Sequence, residues 1–418
     1  MTESVATALE QLESRRNRLV ALTAANLCTR CGFCTESCHF FLSDRDPQLT
    51  PFAKVERVRS VYKKEHDWLS RLFPRFTGAR DLTEEELDAW TEIAFRYCTM
   101  CERCVLNCPM AVDTPAILGA VRGALTAAGK APEILVQLAD AAIQREKSLH
   151  LFKDLYVEQI ADLEKDLREK TGDPHASIPI DKEDAEILYV GLSGAHTIVP
   201  VAEIFNRAGT DWSLSLFEAS NYAVFLGDME RAKAIAKRVV DEAIRLRVKE
   251  VVITECGHAI FSYRTAVPNW FGPLPFEIRS LIEVLDEYVS EGRIRLDASA
   301  NPEPMTYHDS CNIGRKAGIF EQPRRILKAA GKEFRDMAPS KAKSFCCGAG
   351  AGLVANEEWK DTRLKAGGPK AEQITETGAR VVVTSCDNCR HQIGDLSEHY
   401  GLDVEVRSLA EVAARAMA

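Results

Sequence analysis

Two runs of four cysteines constrain this chain more than any other feature. Cys28, Cys31, Cys34 and Cys38 form one CxxCxxCxxxC motif, and Cys98, Cys101, Cys104 and Cys108, followed by Pro109, form a second. Two-residue gaps let three thiolates converge on one cubane face within a single loop, while the fourth, displaced by one more residue, serves the other cluster. The expected pairing is Cys28, Cys31, Cys34 and Cys108 on one [4Fe-4S] cluster, and Cys98, Cys101, Cys104 and Cys38 on a second. Zinc ribbons also use CxxC pairs, but a zinc site closes with four ligands and does not need the run repeated with its offset fourth member. Gly32 allows close backbone approach in the first loop, where N–H groups can bond cluster sulfides and raise the potential.

Composition narrows the class. Fourteen cysteines in a chain that opens MTESVATALEQLESRRNRLV, without the apolar core of about 7 to 15 residues that a signal peptide needs, point to metal binding rather than disulfides. No segment approaches a run of about 18 apolar residues, so no transmembrane segment of its own is expected. The expected location is cytoplasmic, or peripheral on the cytoplasmic face of a membrane. A formal net charge of -9 opposes nucleic-acid binding. Arg15, Arg16 and Arg18 read as a solvated helix face, with a lipid or partner contact as the alternative.

The pattern along the chain predicts an α+β protein in three parts. Residues 1–178 read as a helical ferredoxin domain with two [4Fe-4S] clusters. The 59 residues between Cys38 and Cys98 exceed a compact β-strand ferredoxin, and KVERVRSVYKKEHDWL and TEEELDAWTEIAFRYC carry helical periodicity, with Thr83 as a cap for the second. The helical pattern continues through DTPAILGAVRGALTAAGK and from Ile134 to Lys170 until TGDPHASIPID interrupts it. Beyond it, short β-branched runs alternate with helices, which implies parallel α/β sheets. EVVITEC and RVVVTSC form an internal repeat, each carrying a cysteine where a strand opens into a loop. Residues 179–299 read as a degenerate first α/β lobe and 300–418 as a second, complete one.

The second lobe holds Cys311, the pair Cys346 and Cys347 with Gly348, and Cys386 and Cys389, spaced Cx34CCGx38CxxC. This arrangement resembles the CCG cysteine-rich domain of heterodisulfide reductase, and its coupling to two ferredoxin motifs is similar to the D subunit of that family. The K subunit of the dissimilatory sulfite-reduction complex and the C subunit of anaerobic glycerol-3-phosphate dehydrogenase share the architecture. The resemblance implies that Cys311, Cys346, Cys347, Cys386 and Cys389 hold an additional CCG-type, noncubane [4Fe-4S] site that makes or breaks a disulfide in two one-electron steps. The chain departs from heterodisulfide reductase proper in having one CCG motif rather than two. The first lobe reads EASNYAVFLGD where a CCG could stand, and keeps only Cys256, in ECGHA.

Cys256 is either a thiol facing the cluster, with His258 moving a proton, or inert packing. His308 is expected to make a supporting hydrogen bond, with proton donation as the alternative, and Asp309 to cap the next turn, with orienting the neighbours of His308 as the alternative. Gly348, Gly350 and Gly352 do not have GxGxxG spacing and are expected to let the chain wrap a cluster. A Ser-His-Asp triad, HExxH, Walker A and EF-hand spacing are absent, which removes hydrolase and kinase readings.

The expected function is an iron-sulfur oxidoreductase subunit that carries electrons between two [4Fe-4S] clusters and the CCG site for disulfide/thiol chemistry, in either direction. The alternative is a non-catalytic electron-transfer adaptor between a dehydrogenase or flavoprotein and a membrane quinone pool. A zinc site with a thiol pair is the third reading of the C-terminal cysteines. The family resemblance implies a b-type cytochrome membrane subunit or a flavoprotein as partner, and a disulfide or thiol as substrate.

Overall fold

The computed structural model describes residues 1–14, 17, 18, 20, 26–147, 149–192 and 194–417. Arg15 and Arg16 lie outside the described residues, and Arg18 is exposed. The fold is α+β, with helices in the N-terminal part and two parallel four-stranded sheets beyond it.

Local chemistry sets the N-terminal helices. Helix Pro51–His66 starts where Thr50 Oγ1 accepts from Ala53 N at 3.3 Å, with proline in the first turn, and it buries Val55, Val58 and Val61. The periodicity would carry it further, but Asp67 turns its carboxylate onto the N–H groups of Leu69 and Ser70 and starts a new short helix, Trp68–Leu72. Thr83 caps helix Glu84–Thr91, accepting from Glu86 N at 3.2 Å, and three glutamates occupy the positive first turn. A π-helical turn, Glu92–Arg96, then leads the chain to Cys98. Helix Thr114–Ala127, capped by Asp113, buries Ile117, Leu118, Val121, Arg122 and Leu125.

The chain divides into two compact units, each discontinuous in sequence. One comprises Met1–Leu138, Tyr222–Met229 and Phe345–Glu372; the other comprises Ala139–Asn221, Glu230–Ser344 and Gln373–Ala418. The boundary expected at 178 follows helix Leu149–Thr171, and the one expected at 299 falls within the short 3-10 helix Ala298–Ala300 ahead of the fifth strand. The units cut across them because two later segments pack with the cysteine loops of the first. Gly227, at φ +71°, lies against helix Thr114–Ala127 so closely that a Cβ would meet Gly123 N at 2.6 Å. Thr126 Oγ1 donates to Leu226 O at 2.8 Å beside it.

Among the described residues the second unit is built on eight strands: β1 (Ile187–Val190), β2 (Trp212–Leu214), β3 (Glu250–Ile253), β4 (Glu277–Ser280), β5 (Met305–His308), β6 (Phe334–Arg335), β7 (Val381–Thr384) and β8 (Glu405–Arg407). One sheet has the order β2-β1-β3-β4 and the other β6-β5-β7-β8, all parallel. The central strands β1, β5 and β7 are buried throughout, which is why they read as continuous apolar or β-branched runs. One hydrophobic core joins both sheets, taking in Tyr189, Val252, Tyr307 and Val383. In each sheet the chain leaves the first central strand in one direction and returns on its other side. The crevices beyond the β1/β3 and β5/β7 strand ends are therefore topological switch points.

Candidate metal centres

The two cysteine loops of the helical unit follow the same backbone path. Arg30 and Met100, the residues before the second cysteine of each motif, both have left-handed φ, 57° and 54°. Gly32 and Glu102, the residues after it, do too, at 81° and 61°. A left-handed non-glycine residue is strained, so its repetition marks a loop shape held for a purpose. Gly32 takes the positive φ of this turn, and the only protein atom near an added Cβ is Thr35 Oγ1, at 3.8 Å.

Each loop borders a cavity. One is lined by Cys28, Cys31, Cys34, Cys104 and Cys108 with Leu27, Phe52, Val55, Met110 and Val112 among its walls. The other is lined by Cys38, Cys98, Cys101 and Cys104 with Phe40, Lys54, Tyr97 and Thr99. Backbone N–H groups reach the sulfurs, Met100 N to Cys98 Sγ at 3.4 Å and Val112 N to Cys108 Sγ at 3.3 Å. Burial pushes the Cys34 thiol up to about 11, and raises Cys98 and, further, Cys104. Thiol donors crowded on two cavities, in two loops of matched shape, fit thiolate-ligated iron-sulfur groups.

The segment carrying Cys346 and Cys347 belongs to this same unit. Cys346 Sγ donates to Thr99 Oγ1 at 3.4 Å, and Thr99 Oγ1 lies 3.4 Å from His39 Nε2. The Cys346 and Cys101 sulfurs and a His39 ring nitrogen all fall within 4.8 Å of one another. The glycines of CCGAGAG are packing devices. At Gly348, φ +105°, a Cβ would come 2.7 Å from Arg363 O; at Gly350 it would come 3.1 Å from Thr99 O. Arg103 stacks on the ring of Phe345, its guanidinium carbon 3.7 Å from the centroid, and donates to Ser37 O at 3.1 Å.

Cys311, Cys386 and Cys389 belong to the sheet unit, all buried. β5 and β7 are adjacent, with His308 opposite Thr384, so Cys311 and Cys386 follow the same ends of neighbouring strands. Cys386 and Cys389 open helix Asp387–Tyr400, whose N-terminal dipole favours thiolate. Asp387 is half-buried, which alone would raise its carboxyl, but hydrogen bonds to His196 and His391 hold it well below the usual range. His308 is fully buried at the end of β5. Asp309 does not cap the next turn. Its buried carboxylate makes a bidentate pair with Arg324, both contacts 2.8 Å, and accepts from Lys341 N at 2.6 Å.

Cys256 follows β3 and is buried, its Sγ 3.2 Å from His258 Nδ1. His258 Nε2 accepts from Asn221 N at 3.3 Å, so the ring's proton sits on Nδ1, facing the sulfur. Burial holds His258 down to about 4 and, together with the nearby Cys386, pushes Cys256 well up. The preceding residue, Glu255, accepts from Leu409 N at 2.8 Å and Ala410 N at 3.1 Å, closing the N-terminus of helix Leu409–Ala416.

Sequence reasoning gave no role to His39, Thr99, Lys54 or Arg122. The available signal was Arg122 on the apolar face of AILGAVRGAL, where a basic residue must find partners inside.

Two matched cysteine loops and a second set of buried cysteines define an iron-sulfur oxidoreductase subunit with ferredoxin-like and cysteine-rich parts. Residues 24–112 match the 4Fe-4S dicluster domain family, and residues 305–394 match the CCG cysteine-rich domain family. The chain is 27% identical to the Hdr-like menaquinol oxidoreductase iron-sulfur subunit 2 of Archaeoglobus fulgidus, over 94% of this chain and 79% of that one. It is 25% identical to the D subunit of the dihydromethanophenazine:CoB–CoM heterodisulfide reductase of Methanosarcina acetivorans, over 97% of each. It is 24% identical to the EtfAB:quinone oxidoreductase of Syntrophomonas wolfei, over 88% of this chain and 54% of that one. The chain thus carries one segment of each of these two families and is similar over nearly its whole length to the D subunit of heterodisulfide reductase. No helix of the described residues is long and apolar enough to cross a membrane.

Proposed function

We propose that this chain carries electrons between a membrane-bound or flavin-bearing partner and a disulfide/thiol couple at its CCG cysteines. Cys28, Cys31, Cys34 and Cys108 would hold one [4Fe-4S] cluster, and Cys38, Cys98, Cys101 and Cys104 a second. Cys311, Cys346, Cys347, Cys386 and Cys389 would hold the CCG-type group. These groups, when bound, supply one-electron transfer and a thiophilic iron site. Reducing a disulfide consumes two electrons and two protons and releases two thiols; the reverse returns them. The carrying observation is Cys346, whose sulfur lies with Cys101 and His39 within 4.8 Å, so the CCG segment begins beside the second cysteine loop. His258, neutral with its proton on Nδ1 and 3.2 Å from Cys256, supports a proton-handling role for that pair. Relatives named as menaquinol and quinone oxidoreductases support a quinone couple at the far end of the path; the partner would be a b-type cytochrome membrane subunit or a flavoprotein, with the chain peripheral on the cytoplasmic face of the membrane.

Anaerobic iron and zinc quantification with electron paramagnetic resonance tests this reading. About twelve irons, as three four-iron sites require, with a new signal only in protein oxidised in the presence of thiol, is the expected result. The likeness to a quinone oxidoreductase favours one rival, an electron-transfer adaptor without thiol chemistry. About eight irons, or no thiol-dependent signal, would decide for that adaptor.

A further inference from the structure

Two buried cations in the helical unit have no anion to answer them. Arg122 is fully buried, and every one of its N–H groups donates to a carbonyl oxygen: Ala94 O at 3.0 and 2.8 Å, Cys98 O at 2.9 Å, Phe225 O at 2.8 Å and Ala351 O at 2.9 Å. Lys54, 2% exposed, donates to Tyr97 O, lies 3.8 Å from Cys38 Sγ and sits 5.3 Å from the Phe40 ring centroid. Among the described residues no carboxylate pairs with either. Carbonyl dipoles satisfy the donors but leave the charge uncancelled, and an uncancelled charge is expensive inside a protein.

Both cations address the same cavity. Lys54 lines the one bordered by Cys38, Cys98, Cys101 and Cys104, and Arg122 binds the carbonyl of Cys98. Among the described residues the other cavity has no such neighbour. Its walls are largely apolar, and the one cation among them, Arg30, is half-exposed and paired with Glu56 at 2.6 Å.

We infer that Lys54 and Arg122 are the built-in counter-charge of the iron-sulfur group held by Cys38, Cys98, Cys101 and Cys104, and that they raise its reduction potential. This rests on the cluster assignment above. A centre bound by four thiolates becomes more negative on accepting an electron, so a fixed cation nearby favours its reduced form, and burial leaves that attraction poorly screened. The same cations thus stabilise the electron at the site beside Cys346. Arg122 also binds Ala351 O, so one positive charge joins the second cysteine loop to the CCG segment.

The test is a potentiometric titration of the full chain, anaerobically reconstituted and followed by electron paramagnetic resonance. Lys54→Gln removes the charge while its amide can still donate to Tyr97; Lys54→Met provides a second neutral variant if the first fails to fold. Either should lower the midpoint of one of the two ferredoxin-type signals. At a fixed potential its reduced-to-oxidised ratio should fall at least tenfold, equivalent to 59 mV for a one-electron couple. The signal lost in Cys31→Ser should not move, Lys54→Arg should restore the wild-type midpoint, and Arg122→Met should shift the same signal the same way. Unmoved midpoints, equal shifts of both signals, or a shift that Lys54→Arg fails to reverse would overturn the proposal alone. A wild-type protein lacking two such signals would overturn the cluster assignment and the proposal with it.

Discussion

The two sheets are copies in topology and opposites in chemistry. Both run in the order of second, first, third and fourth strand. Aligning EVVITEC with RVVVTSC sets Val251 on Val381 and Cys256 on Cys386, and the strand registers then set Leu188 on Met305 and Gly194 on Cys311. Continuing along the helices, Ala259 stands where Cys389 does. The first sheet keeps a single thiol of that set. Even the helix starts agree: after β4, Ser280 and Glu283 form a capping box, and after β8, Ser408 and Glu411 form another. The shared features are buried strands and caps, which make the fold. The divergent ones lie just beyond the strand ends, where substitutions leave the core untouched and decide what the crevice can bind.

The sharpest way to break this comparison is to treat the paired thiols as equals. Cys386→Ser should abolish the thiol-dependent paramagnetic signal and disulfide turnover and lower iron by one four-iron group, leaving both ferredoxin-type signals. Cys256→Ser should retain all the iron and slow disulfide turnover by roughly 10²-fold, the lower range for loss of an acid-base partner. Equal iron loss in both would mean that the first sheet still holds metal.

A smaller effect concerns Glu242, buried in the first lobe beside Ser215 and Leu216. Burial pushes its carboxyl up to about 7 from 4.5. The folded form therefore holds the proton more tightly than the unfolded chain. Its contribution to stability is fully present below pH 4.5 and is lost as pH rises through about 7. Denaturant midpoints should fall between pH 5 and 8 by the equivalent of about 2 kcal/mol in the wild type and much less in Glu242→Gln. Parallel pH curves would show that this carboxyl is not responsible.

The smallest effect should be the most symmetric. Ser280→Ala and Ser408→Ala should each cost about 1 kcal/mol in urea unfolding, because each removes the same cap from the same place in its sheet. A large inequality would mean that one helix start carries load the other does not.

These contrasts also mark what sequence could say. EVVITEC and RVVVTSC were readable as strands because a parallel strand buried on both faces must be apolar and β-branched. Thr83 was readable as a cap because its preference is local. The cysteine runs were readable because spacing alone implies convergent thiolates. Lys54 was not: in KVERVR it looks like one more solvated charge, and only the packing of Tyr97 and Phe40 around it makes it buried. Glu255 and Asp309 were equally opaque, since their partners, Leu409 and Arg324, lie 154 and 15 residues away. The capping boxes are legible as S-x-x-E in the sequence itself. The recruitment of residues 222–229 and 345–372 into the helical unit had no local signature, because backbone-to-backbone packing at glycine leaves no pattern of charge or hydropathy.

Gly348 carries a consequence for how damage at this centre would look. Its backbone is pressed against Arg363 and Gly367, and its N–H points at the sulfur of Cys346, 3.4 Å away. A methyl group added there would lift the loop and take Cys346 away from Thr99. Every cysteine would survive, a thiol assay on unfolded protein would count all fourteen, and the centre would still be lost: a mechanical fault with a chemical symptom.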